Sequence, residues 1–287
     1  MYKRKIEEVL KNWKQTPNHK PIVIKGVRQC GKTSSVMDFA EKNYRHVVYL
    51  DFREHPEYRN FFIPNLDIPS IILRISATMP DVEIEAKETC FVFDEIQDCP
   101  RARGALKYFY LDGNYEVMCT GSLLGVNGYK TKEELQDESE ASIPVGFEQI
   151  ENMYPMDFEE WLWANNIKPI HLTYLRKCFD EELPVDEAIH QRMRELLHLY
   201  AIVGGMPEAV STFLATNQIG TLLQVQRRIV DEYKSDMIKY ALPTDKSKIR
   251  ECFESIPSQL AKEYKKFQFS KIRPNARGKE FAGSIQW

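Results

Sequence analysis

A chain of 287 residues is long enough for one large domain or two modest ones, so a sizeable core forms without covalent staples. It is 43% hydrophobic and 28% charged with a formal charge of -3, a composition that excludes neither nucleic-acid nor protein partners. Nowhere do eighteen apolar residues run together, and "MYKRKIEEVLKNW" leads into charged helical periodicity in place of an apolar signal core, which argues against secretion and membrane spanning.

Four apolar runs follow in order: "PIVIKG" at 21–26, "HVVYLDF" at 46–52, "CFVFDEI" at 90–96 and "YEVMCTGS" at 115–122. Each is predicted as a strand. Val47, Val48, Tyr49 and Leu50 are apolar on both alternating faces, as expected for a parallel strand covered by helices on both sides. Helices are predicted between the runs at about 32–44, 67–79 and 101–111, which is the order of a doubly wound α/β sheet. Six cysteines (Cys30, Cys90, Cys99, Cys119, Cys178, Cys252) form no C-x-x-C pair and read as reduced thiols of a cytoplasmic protein.

Residues 131 to 160 carry ten Asp/Glu against one Lys132, and the stretch 126–142, with Glu133, Glu134, Asp137, Glu138 and Glu140, reads as a solvated acidic loop. "FEQIENMYP" at 147–155 alternates as a last strand. From Met156 the spacing turns helical, with core stripes at Ile189, Met193, Leu196 and Tyr200, then Leu222, Val225, Ile229, Tyr233, Met237 and Tyr240. Gly204–Gly205 is predicted to end one helix and Pro207 to begin the next. The expected organisation is a nucleotide-binding domain at 1–155, a helical domain at 156–243 and the start of a third region at 244–287.

The last segment, 262–279, holds seven Lys/Arg against Glu263, interleaved with Tyr264, Phe267 and Phe269. Basic residues among aromatics hint at nucleic acid. The blander account is a surface helix with a solvated basic face running into a short strand. The chain stops at Trp287 with no evident closing element, which reads as a fragment of something longer.

Gly26-Val27-Arg28-Gln29-Cys30-Gly31-Lys32-Thr33 fits G-x-x-x-x-G-K-[ST] after an apolar strand and before a helical stretch. Successive backbone N–H groups of such a loop wrap a β-phosphate that faces the positive end of the following helix, and bulk at either glycine would crowd the wrap. Residues 26 to 34, Ser34 included, are the candidate nucleotide-binding residues. Lys32 would reach the β- and γ-phosphates and the Thr33 hydroxyl would coordinate Mg2+. A chance glycine turn is the alternative.

A phosphate cradle alone would only bind, so hydrolysis needs a carboxylate-bearing strand beside the first, and "CFVFDEIQD" supplies one. Asp94 at its carboxyl end would hold the magnesium, and Glu95 would polarise the attacking water. An acidic pair can instead cap a turn. Ser122, closing "VMCTGS", is a candidate γ-phosphate sensor between the two motifs or a plain turn residue. Gln97 and Asp98 are given no role, and the six histidines form no metal or triad spacing.

"GVRQCGKT", "FVFDEIQ", "CTGS", "MYPMDFEEWLWA" and "YAIVGGMPEAV" resemble the AAA+-type ATPases of the AAA_14 family, whose members usually continue into a DUF4143 domain. The resemblance implies a P-loop α/β core, a helical lid and the start of a C-terminal winged-helix and nuclease-like region. It implies a phosphate loop at Gly26, Gly31, Lys32 and Thr33, an acidic pair at Asp94 and Glu95, a sensor at Ser122, and adenine contacts from Gly205 and Pro207. A helix stop followed by a helix start explains those last two without a ligand. One position departs: many relatives carry arginine after the glycine that corresponds to Gly146, and this chain has Phe147. An arginine finger would then come from Arg101, Arg103 or a neighbouring subunit of a homo-oligomer.

The leading expectation is an Mg2+-dependent ATPase whose hydrolysis moves the lid and passes the change to a C-terminal effector or to DNA. A slow ATP/ADP switch is the second. Phosphotransfer to a small acceptor lacks a marked pocket, and guanine is disfavoured because no N-K-x-D run follows the acidic strand.

Overall fold

Residues Thr89–Asp94 explain the core on both sides of the sheet. Phe91 and Phe93 enter one buried cluster, Cys90 and Val92 the other, as the two-residue period of a strand requires when both faces are covered. The computed structural model describes residues 2–122, 146–240, 245–264 and 266–286. The acidic loop expected at 126–142, with Glu133, Glu134, Asp137, Glu138 and Glu140, lies entirely outside the described residues.

In chain order the first part comprises α1 (Ile6–Gln15), β1 (Ile22–Gly26), α2 (Lys32–Asn43), β2 (His46–Asp51), α3 (Ile68–Thr78), β3 (Thr89–Asp94), α4 (Pro100–Asp112), β4 (Glu116–Ser122) and β5 (Gln149–Met153). Ile6, Leu10 and Trp13 of α1 with Val36, Phe39 and Ala40 of α2 cover one face; Ile68, Ile71 and Ile75 of α3 with Ala105, Leu106 and Phe109 of α4 cover the other. This is the doubly wound parallel sheet that the strand-helix alternation predicts.

The strand order is β2-β3-β4-β1-β5, all parallel, with Gly26 of β1 paired to Ser122 of β4 and to Met153 of β5, and Asp51 paired to Asp94. Two expectations are corrected here. The carboxylate strand β3 does not lie beside β1, because β4 stands between them and bonds to both. β2 is an edge strand: Val48 and Leu50 are buried while Val47 and Tyr49 are only half-buried, since one of its faces is incompletely covered.

Beyond the sheet come α5 (Phe158–Ala164), α6 (Pro169–Asp180), α7 (Glu187–Val203), α8 (Pro207–Thr216) and α9 (Ile219–Tyr240). Met193, Leu196, Tyr200, Leu222 and Val225 meet Met156, Trp161 and Val210 in a third cluster, so these members of the predicted stripes form core; Ile189, Ile229, Tyr233 and Met237 are not part of it, Ile229 being buried and the other three half-buried. Gly204 (φ 75) ends α7 and Pro207 opens α8 as expected. The chain divides into two compact units, the first holding the described residues through Val225 and the second those from Gln226 on.

In the second unit, α10 (Lys246–Leu260) and α11 (Gly278–Gln286) pack on each other. The helix running into a strand at 262–279 is not found among the described residues. α10 ends before that segment, which holds only a short 3-10 turn at Phe269–Lys271 before α11 begins. Among the described residues no strand pairs with the Phe267/Phe269 alternation, and the two rings pack edge to face on each other.

Candidate functional site

Because all five strands are parallel, β1, β3 and β4 deliver their carboxyl ends to one edge of the sheet, where an open α/β sheet places its ligands. β1 runs out at Gly26, whose Cα lies so close to β5 that an added Cβ would sit 2.1 Å from the Met153 carbonyl oxygen. The chain then turns through Gln29 (φ 60) and Gly31 (φ 96) into α2. The first amide of α2 bonded back along the helix is that of Ser35, to Gly31 O at 3.0 Å. Those of Lys32, Thr33 and Ser34 precede it in the first turn, where backbone N–H groups have no intrahelical partner and the helix end is positive.

Lys32 is only 6% exposed, and its ammonium donates to the carbonyls of Gly26 (3.0 Å) and Val27 (2.8 Å). Among the described residues no carboxylate lies at ion-pair distance from it. A buried cation satisfied by carbonyl dipoles alone still carries its net charge, and that favours an anion in the loop. Ser34 is exposed on the first turn of α2.

At the end of β3 the buried Asp94 accepts from four groups: the Thr33 hydroxyl at 2.9 Å, the Tyr49 hydroxyl at 2.7 Å, the Thr120 hydroxyl, and the Glu95 amide at 3.0 Å. Thr33 of the loop and Asp94 thus face each other as a hydroxyl and a carboxylate, the hard oxygen pair that Mg2+ takes alongside substrate phosphates. The residues fit that ion and a polyphosphate.

Glu95 follows in the left-handed region (φ 51), a costly conformation for a residue with a side chain and one that clusters at functional sites. Arg53 Nη2 stands 2.7 Å from Glu95 Oε2, the Gln97 amide donates to the same oxygen, and Arg53 Nε reaches Asp98 at 2.8 Å. Burial pushes the Glu95 carboxyl above its ordinary range, with Arg53 and Gln97 opposing. Ser122 is buried at the end of β4, its amide donating to Gln97 Oε1 at 3.3 Å, so Gln97 links the candidate sensor to the candidate base.

The turn at 205–207 borders the glycine loop: a Cβ at Gly31 would lie 3.8 Å from the Pro207 ring and 3.3 Å from Arg4 Nη1. Gly205 has a packing reason of its own, because a Cβ there would meet the Met156 carbonyl oxygen at 2.0 Å, while the Gly205 carbonyl accepts from the Met156 amide at 2.7 Å.

The two arginines proposed as a finger are engaged elsewhere. Arg103 forms a buried pair with Glu148 at 2.6 Å, and Arg101 donates to the Phe62 and Pro64 carbonyls at 2.9 and 2.8 Å. Phe147 packs its ring edge to face against Tyr110. Arg4, Tyr49 and Arg53 were missed in the sequence: Arg4 and Arg53 lie in charged or mixed stretches, Tyr49 in an apolar strand run, with no spacing to mark any of them, and their partners are distant in sequence. Among the described residues no cluster of three metal-ligating His, Cys, Asp or Glu occurs, and no helix is long and apolar enough to cross a membrane.

Two family models match the chain. AAA_14, an AAA domain, covers residues 18–162, and DUF8612, a domain of unknown function, covers residues 194–287, where the resemblance implied DUF4143. No curated protein matches. Among solved structures the chain is similar to the Walker-type ATPase PABY2304 of Pyrococcus abyssi (15% identity, 91% of this chain and 78% of that one, TM-score 0.45). It is also similar to PCH-2 of C. elegans (12%, 81% and 69%, TM-score 0.38) and to AMPPCP-bound DnaA from Aquifex aeolicus (12%, 97% and 85%, TM-score 0.37).

Proposed function

Because the chain belongs to the AAA_14 family of AAA domains, we propose that it binds ATP in the 26–34 loop, with Mg2+ at Thr33 and Asp94, and hydrolyses it to ADP and phosphate. The observation that carries this reading is the buried Lys32 ammonium, held by two carbonyls at the mouth of α2. Lys32 would turn from those carbonyls to the β- and γ-phosphates, while the amides of the loop and of the first turn of α2 hold the rest of the chain of phosphates. Bound there, Mg2+ supplies charge neutralisation on the phosphate oxygens.

Glu95 takes a proton from water as the water oxygen bonds to the γ-phosphorus and the bond to the β-phosphate oxygen of ADP breaks. Ser122, tied through Gln97 to Glu95, senses whether the γ-phosphate is present. Gly205 and Pro207, beside the loop, approach the adenine. Phosphate release from the wild type and from Glu95→Gln tests the reading: the variant should lose turnover and keep MgATP affinity, whereas unchanged turnover would remove Glu95 from the chemistry.

A second reading, a slow nucleotide switch, is favoured by the Arg53–Glu95 pair, which holds the base in an ion pair, and by the engagement of Arg101 and Arg103. An arginine for the transition-state charge would then come from another copy of the chain. In either case we assign residues 1–155 to nucleotide binding, 156–243 to a lid and 244–287 to the start of an effector region, acting in the cytoplasm. DNA is the partner proposed for the basic tail, where Lys266, Lys271, Arg277 and Lys279 are exposed, as is Tyr264.

A further inference from the structure

We infer that Arg4 is a positioning residue for the glycine loop, its guanidinium fixing the Cys30 carbonyl and, through Glu160, fastening that loop to the first helix beyond the sheet. In the sequence Arg4 is one of three cations in "YKRK" and looks like a solvated charge. In the structure it is 5% exposed and spends its fork on three separate segments. Nη1 donates to Cys30 O at 2.7 Å, Nη2 donates to Tyr154 O just after β5 at 2.6 Å, and Nε stands 3.2 Å from Glu160 Oε1, at ion-pair distance without hydrogen-bond alignment.

Glu160 is itself held. Its Oε1 accepts from the Lys5 amide at 2.6 Å, and its Oε2 from the Asp157 amide at 3.1 Å, while Asp157 Oδ1 accepts from the Glu160 amide at 2.9 Å, the reciprocal cap of α5. Lys5 adds ion pairs to Asp157 and Glu159 at 2.6 and 2.9 Å. Arg4 therefore has a rigid mount and a target in the loop.

The target matters because the peptide unit is planar and trans. The Cys30 carbonyl and the Gly31 N–H belong to one plane and point in opposite directions, so the guanidinium that holds the oxygen aims the Gly31 amide away from itself. Gly31 (φ 96) leaves that peptide free to rotate unless something fixes it. A preset amide costs no ordering when an anion arrives. This consequence for affinity rests on the ATP reading; the setting of the peptide plane does not.

Arg4→Lys and Glu160→Gln separate positioning from simple fastening of the amino terminus. Lysine keeps the charge but cannot hold three partners at once, and glutamine keeps the size of Glu160 without its charge. In nucleotide-free protein, hydrogen exchange of the 29–33 amides should rise several-fold in both variants. MgATP affinity by calorimetry should fall about tenfold in each, some 1.4 kcal/mol, with the double variant no weaker than the weaker single one. The melting temperature should drop by no more than a few degrees. Unchanged loop exchange and unchanged affinity with a lowered melting temperature would overturn the inference. Faster loop exchange in the variants of a protein whose wild type binds no nucleotide would uphold the positioning role and remove the ATP reading instead.

Discussion

Thr33 Oγ1 donates to Asp94 Oδ2 at 2.9 Å, so a hydroxyl of the first turn of α2 and the carboxylate that closes β3 are in direct contact. Thr33→Val keeps the shape and removes the donor. A hydrogen bond to a charged group contributes about 1.5–3 kcal/mol, and in the proposed function the lost hydroxyl would also hold the metal, so the Mg2+ concentration for half-maximal ATP binding should rise roughly tenfold. Nucleotide titrations at stepped Mg2+ check this; an unmoved midpoint would take Thr33 out of the metal site.

The carboxyl of Glu95 is raised by burial and lowered again by Arg53. A base works deprotonated, so turnover should climb with pH through the Glu95 pKa, and removing the opposing guanidinium should move that limb to higher pH. Phosphate release by Arg53→Ala measured across pH 5 to 9 should show the shift, and coincident profiles would separate Arg53 from the base.

Gly205→Ala puts a methyl group where the Met156 carbonyl oxygen stands 2.0 Å away. That oxygen belongs to the backbone and cannot swing aside, so the turn must open. A loss of about 1–3 kcal/mol is expected from urea unfolding. Full stability would mean that the turn and the Met156 backbone separate at little cost.

At the far edge of the sheet, His19 Nδ1 meets the Thr16 carbonyl at 2.9 Å and its Nε2 lies 3.5 Å from Glu116. Burial works against the charged ring, yet Glu116 and the carbonyl outweigh it and raise the His19 pKa. A raised histidine pKa adds stability that is full below the unfolded value of about 6.5 and fades as pH rises through the folded value. Glu116→Gln should therefore lower the melting temperature more at pH 6 than at pH 8.5; an equal loss at both would leave the histidine out of it.

Lys266→Ala with Lys271→Ala tests the tail. If both contact phosphates, DNA affinity should fall and the slope of log K against log salt should shrink by roughly 2. An unchanged slope would leave the basic segment a solvated surface.

The loop and the acidic pair were legible because their chemistry is local: a glycine spacing between a strand and a helix, and two carboxylates directly after four apolar residues. The strands were legible for the same reason. Their order was not, since pairing depends on partners far along the chain, and nothing near residue 94 announces that β4 intervenes between β3 and β1. Arg4, Tyr49 and Arg53 escaped for a related reason: the two arginines sit amid ordinary charged and mixed residues and Tyr49 reads as one more apolar residue of its strand, so the importance of each lies in what the fold brings to it. For Gly205, helix punctuation and a ligand contact were both open, and the close approach of Met156 supplied a third cause that no sequence pattern carries.

Titration calorimetry of MgATP into the wild type and into Lys32→Ala tests the account most directly. The account predicts saturable heat at one site per chain for the wild type and a loss of at least tenfold in affinity for the variant, whose apo melting curve stays close to that of the wild type. Absence of heat from the wild type, or equal affinity in the two proteins, would contradict it.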